Sequence, residues 1–178
     1  MHRLFVGIRP PATVRAQLLD TMSGAEGVRW QDDEQLHITL RFIGEVERPV
    51  AEDIAAVLGQ VRGPAFELAV AGVGQFDRGT GRPTALWAGV RPHDAISELH
   101  RKVDRAIVRT GLAPEGRAYL PHVTLARIGG RGALVEPWLA ANADLVSPAF
   151  AVTHFLLFES HLGRAGARYD VVARYALG

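Results

Sequence analysis

Apolar positions along the chain follow two rhythms that alternate. The runs Leu4-Phe5-Val6-Gly7-Ile8 and Leu86-Trp87-Ala88-Gly89-Val90 have strand composition, and each ends at an Arg-Pro step, where proline supplies no N–H to a ladder. After the first, Val14, Leu18, Leu19 and Met22 recur at helical spacing within Pro11 to Met22; after the second, Ile96, Leu99, Val103, Ile107 and Val108 do the same. Apolar and β-branched segments then follow at His37 to Gly44 and His122 to Gly129, each closed by glycine. Val50, Ile54, Val57, Leu58 and Val61 predict a further helix over about 49–62. Further strands are expected over about 65–72, 148–160 and 168–177, and the glycine-rich stretch Gly74 to Pro83 reads as the loop between two lobes.

The pattern repeats. Leu4-Phe5-Val6-Gly7-Ile8-Arg9-Pro10 matches Leu86-Trp87-Ala88-Gly89-Val90-Arg91-Pro92 at an offset of 82 residues, and His37-Ile38-Thr39-Leu40 matches His122-Val123-Thr124-Leu125 at an offset of 85. One unit of strand, helix and strand is therefore used twice, over roughly 3–44 and 85–129. Several strands follow one another without a helix, so the expected fold is α+β: two pseudo-symmetric lobes, each a mostly antiparallel sheet with helices on its outer side. Residues 1–178 would form a single bilobal domain by internal duplication, with the active-site groove between the lobes. An approximate two-fold axis would set equivalent residues opposite each other.

Composition narrows the field. The 178 residues are 48% hydrophobic and 22% charged, an ordinary balance for a globular protein, and no apolar run reaches the roughly 18 residues of a membrane span. With a strand-like start and no leader pattern, a cytoplasmic location and a monomer without membrane contact are the expectations. The absence of cysteine removes disulfides, thiolate metal sites and a cysteine nucleophile. A net charge of +1 argues against a long polyanion groove, although a small anionic ligand fits. Lys102 is the one lysine beside nineteen arginines, which coding bias explains.

Residues i and i+2 of a strand share a face, so His37 lies with Thr39 and His122 with Thr124. A single such pair is ordinary for a solvated strand. Two in register with a repeat are not, because exposed polar pairs gain little stability by persisting. Histidine titrates near neutrality, so two imidazoles across a groove can serve as general base and general acid on opposite sides of one reacting atom. In-line displacement at phosphorus has that need. Threonine hydroxyls suit the non-bridging oxygens, and Arg127 or Arg41 is placed by sequence to add charge-assisted bonds. No metal or other cofactor is called for.

Paired His-x-Thr segments in a duplicated chain resemble the 2H phosphoesterase superfamily, and in particular its RNA 2′,3′-cyclic phosphodiesterase, or 2′-5′ RNA ligase, branch. The likeness extends to Arg3-Leu4-Phe5-Val6-Gly7-Ile8, Leu36 to Gly44, Leu86-Trp87, Pro121 to Arg127, Glu159-Ser160 and Gly166-Ala167-Arg168-Tyr169. It implies metal-independent hydrolysis of RNA or nucleotide 2′,3′-cyclic phosphate to the 2′-phosphomonoester, with 2′-5′ ligation as the reverse step. It further implies His37 as acid, His122 as base, Thr39 and Thr124 on phosphate oxygens, Arg127 on the phosphate and Phe42 beside the nucleobase. Strict alternation places Phe42 and Arg127 on the wrong face, which a bulge would correct.

Other residues have plainer readings. His2, His93, His100, His154 and His161 lack the motif context and are expected to be structural. Trp30, Trp87 and Trp138 read as core or partly buried anchors, and Asp32-Asp33-Glu34 as a solvated acidic loop rather than a magnesium site. Three rivals keep part of the pattern: a metal-dependent hydrolase using His37 and His122 as ligands, a non-catalytic module for RNA ends, and a phosphodiesterase for another cyclic phosphate such as that of ADP-ribose.

Overall fold

The computed structural model describes residues 1–178. Its strands are β1 (His2–Ile8), β2 (Arg29–Trp30), β3 (Ile38–Val46), β4 (Phe66–Asp77), β5 (Pro83–Arg91), β6 (His122–Arg127), β7 (Phe150–Val152), β8 (His154–Gly163) and β9 (Gly166–Ala176). Helices α1 (Ala12–Leu19), α2 (Arg48–Leu58), α3 (Asp94–Val108) and α4 (Glu136–Ala141) interrupt them, with a 3₁₀ turn at Asp33–Gln35. The pairings are antiparallel, and they order the strands β7-β4-β5-β6-β3-β1-β8-β9, with β2 beside β6.

This is the expected α+β fold, with its two halves joined edge to edge in one sheet. β1 lies between β3 and β8, and β5 between β6 and β4. The repeated segments thus occupy matching places about the β3–β6 seam, an arrangement that supports the duplication reading. The seam is narrow. It consists of one register pair, Ile38 with Val123, after which β3 departs and β2 takes its place along β6, pairing Arg29 with Arg127 and Trp30 with Ala126.

One face of the sheet carries the helices. Val14 and Leu18 of α1, Ile54 and Leu58 of α2, Ile96, Leu99, Val103 and Ile107 of α3, and Trp138 of α4 pack against Val6, Ile38, Val123 and Leu157 in a single core. The α3 residues are those the 3.6-residue period selects, and burying each contributes roughly 1.5–3 kcal/mol. On the other face a separate cluster of Phe5, Leu156 and Phe158, with Tyr169 against it, forms the floor of a groove.

The stretch Gly74 to Pro83 is not a link between lobes. β4 runs on through Gly74 to Asp77 and turns back into β5 at Pro83, so the segment is a hairpin inside one half. Gly74 belongs in the strand because the Trp87 indole lies directly over it, where any side chain would collide. Gly44, likewise, does not end β3; it sits within the strand at φ +88°.

Candidate active site

Because Ile38 and Val123 pair across the seam and are fully buried, their neighbours emerge on the helix-free face. The antiparallel register sets His37 opposite Thr124 and Thr39 opposite His122, so the imidazoles stand diagonally, about 7–8 Å apart at their Cβ atoms. A phosphate group can bridge that span. The two rings are held alike: His37 Nδ1 donates to the Gln35 carbonyl at 2.7 Å and His122 Nδ1 to the Leu120 carbonyl at 2.7 Å. A carbonyl only accepts, so the proton sits on Nδ1 of each ring and Nε2 is left for chemistry.

The surroundings differ. His37 is walled by Phe5, Tyr169 and Phe158, with ring centroids at 4.7, 5.2 and 6.0 Å, and its Nε2 accepts from Thr39 Oγ1 at 3.0 Å. His122 meets Phe76 edge-on at 4.8 Å and Trp87 at 6.2 Å. Burial among these rings, reinforced by the charges of Arg127 and Arg9 and the neighbouring His122, pushes the His37 pKa down to about 4. Burial and Arg127 lower that of His122 as well. Both rings are therefore predominantly neutral at pH 7.

Two β-bulges complete the face. Between Val6↔Arg41 and Gly7↔Thr39, β3 carries one extra residue, Leu40; between Leu86↔Ala126 and Trp87↔Thr124, β6 carries Leu125. These are equivalent positions of the repeat. Each bulge reverses the alternation beyond it, bringing Phe42 and Arg127 onto the histidine face. The bulge carbonyls are both bonded: Leu40 O accepts from His100 Nδ1 at 2.6 Å, and Leu125 O from the Gln31 backbone N–H at 2.8 Å. Tyr119, stacked on His100, donates its hydroxyl to Thr39 O at 2.9 Å.

The same bulge corrects the reading of Arg41. Its side chain is sent to the helix side, where it is buried; Nε donates to Asp104 at 2.6 Å, Nη1 to Phe42 O at 2.6 Å and Nη2 to Ala113 O, with Glu115 nearby at 3.7 Å. Arg41 is a structural cation that braces β3 against α3, and it takes no place in the groove. Phe42 is exposed beneath the Arg3 guanidinium, 5.0 Å from its ring centre.

Several groove residues escaped the sequence reading. Phe5 and Trp87 occupy the same position of the repeat, and each packs on its motif histidine; that equivalence was available as a signal. Tyr169 stands in the closing segment of the family likeness, and Phe158 and Phe76 had no signal. Of the histidines set aside, His2 bonds Glu159 at 2.8 Å and His161 faces Asp170 at 3.1 Å. In the acidic loop, Asp33 pairs with Arg15 at 2.9 Å and Asp32 caps the 3₁₀ turn.

The family model for the 2'-5' RNA ligase superfamily matches residues 10–164. The chain belongs to this superfamily. A relative from Aeropyrum pernix named RNA 2',3'-cyclic phosphodiesterase is 40% identical over 147 residues, covering 79% of this chain and 81% of that protein. One of the same name from Escherichia coli K12 is 30% identical over 184 aligned positions, 99% and 97% of the two chains. Among solved structures, E. coli LigT complexed with 3'-AMP shares 28% identity at a TM-score of 0.78, covering 99% of this chain and 98% of that one. The family span includes both motif strands, both bulges and Arg127, while Phe5 and Tyr169 lie outside it.

Proposed function

We propose that this superfamily member hydrolyses 2′,3′-cyclic phosphate termini of RNA or nucleotides to 2′-phosphomonoesters, by acid–base catalysis shared between His37 and His122. The carrying observation is the pair of Nε2 atoms presented on one face from equivalent strands, each ring oriented by its own backbone carbonyl. One imidazole takes a proton from water, whose oxygen bonds to phosphorus as the P–O3′ bond breaks; the other gives its proton to O3′. Thr39 and Thr124 donate to the non-bridging oxygens, Arg127 balances their charge, and Phe42 offers a surface for the base. RNA ends bearing the cyclic phosphate are the partner, and the chain acts as a monomer. No helix is long and apolar enough to cross a membrane. Ligation is the same displacement with a 5′-hydroxyl in place of water: O5′ bonds to phosphorus, P–O3′ breaks and O3′ takes the proton.

Family likeness makes His37 the acid. The low proton affinity that burial gives His37 favours a second reading, with His122 as the protonated partner. A substrate with 3′-sulfur as the leaving atom needs no acid, so it restores turnover to the acid variant and not to the base variant. The decisive experiment for the activity is incubation with a nucleoside 2′,3′-cyclic phosphate in EDTA. The 2′-phosphate isomer is expected. The 3′ isomer, or loss of turnover to the chelator, overturns the proposal, the latter in favour of a metal-dependent hydrolase. No group of three or more His, Asp or Glu side chains is gathered in this chain for such a metal.

A further inference from the structure

Arg29 of β2 stands directly opposite Arg127 of β6. Their neighbours Trp30 and Ala126 face the helices, Ala126 fully buried and Trp30 against Trp138 at 5.7 Å, so both guanidinium groups lie on the groove face. Like charges opposed across a strand pair destabilise it. Seven of the nineteen arginines, Arg9, Arg15, Arg41, Arg48, Arg101, Arg105 and Arg168, have a carboxylate partner; the unusual feature here is that two unpaired ones face each other across a ladder. Arg29 and Arg127 are exposed, and neither has such a partner.

Arg127 is close enough to both histidines to depress their proton affinity, which assigns it to the reacting phosphate. Arg29 lies on the adjoining strand, on the β3 side of β6, about 5 Å away, a step comparable to one nucleotide. We infer that Arg29 binds the phosphodiester next to the reacting cyclic phosphate, making the groove a site for the 3′ end of an RNA chain rather than for a lone nucleotide. The inference rests on the proposed function. ADP-ribose cyclic phosphate also carries additional phosphate, but Arg29 is exposed on a two-residue strand at the point where β3 has left β6, so that an RNA chain can continue past it.

The test compares kcat/KM of the wild type, Arg29→Gln and Arg29→Lys on adenosine 2′,3′-cyclic phosphate, on the ApA dinucleotide with the same terminus, and on ADP-ribose cyclic phosphate. Arg29→Gln should lower the dinucleotide value about tenfold, chiefly through KM, and leave the mononucleotide within about twofold. Its dinucleotide slope of log(kcat/KM) against log[salt] should flatten by about 0.7, and Arg29→Lys should keep the slope. The melting temperature of Arg29→Gln should hold or rise as the like-charge contact is relieved; a fall marks a structural role and overturns the inference. Equal loss on the mononucleotide, no loss on the dinucleotide, or loss confined to the ADP-ribose compound overturns it too. If the wild type hydrolyses none of the three, the proposed function has failed. Binding of the ApA dinucleotide 3′-phosphate then judges Arg29 separately: weaker binding by Arg29→Gln upholds its role, and equal binding overturns it.

Discussion

The two motif strands present one sequence pattern in two environments. Around His37 the groove is enclosed by three aromatic rings and the ring nitrogen is engaged by Thr39; around His122, Phe76 and Trp87 approach and Nε2 has no partner within the chain. Behind them, side chains of α3 and its following loop secure the first bulge, through His100, Asp104 and Tyr119, whereas backbone from the 29–31 segment secures the second. Near-identical residues are thereby made chemically unequal, which is what a reaction needing one proton donor and one acceptor requires.

The sharpest way to break this comparison is to remove each imidazole. His37→Ala and His122→Ala should each cost about three or more orders of magnitude in kcat, and the double variant little more than the worse single, since the two act in one step. Additive losses in single-turnover assays would mean that the rings act in separate steps. Arg41→Met tests the first bulge alone. It strands Asp104 and should cost about 3–5 kcal/mol in urea unfolding; a raised KM with unchanged stability would instead return Arg41 to the substrate.

Arg127→Ala should lower kcat/KM by about ten- to a hundredfold and displace its pH profile. Arg127 disfavours the protonated form of both histidines, so the wild-type optimum is expected on the acid side of pH 6.5, and losing that charge moves it upward. A profile that stays in place would remove Arg127 from the pair. The smallest effect is on folding. An unfolded His37 binds protons below about pH 6.5 while the folded one resists until about pH 4, so stability is lost as pH falls through that window, by roughly 2–3 kcal/mol. His37→Phe should abolish this slope in acid unfolding curves, and the corresponding His122 variant should flatten it less.

The repeat made much of this legible. His37, Thr39, His122 and Thr124 could be assigned to one face from spacing alone, and the periods of α2 and α3 emerged within a few residues of their observed limits. What the pattern could not carry was the extra residue at Leu40 and Leu125. A bulge is set by which neighbour receives its free carbonyl, and those neighbours, His100 and Gln31, are 60 and 94 residues distant. Arg41 was misplaced for that reason. The single sheet was hidden too, because the pairings that unite the halves, Ile38 with Val123 and the two residues of β2 with β6, are too short to leave a trace in composition. Gly74 read as a loop because the indole that needs its bareness comes thirteen residues later.

The strand order also bears on synthesis. The half containing His122 is contiguous along the chain, from β4 to β7, and can pair as soon as it leaves the ribosome. The half containing His37 starts with β1, ahead of the other half in the chain, but lacks β8 and β9, which bring Phe158 and Tyr169 to its ring, until after the other half has been made. The surroundings of His37 are thus completed late: β1 and β3 are made early and wait for β8 and β9 to fold back beside them.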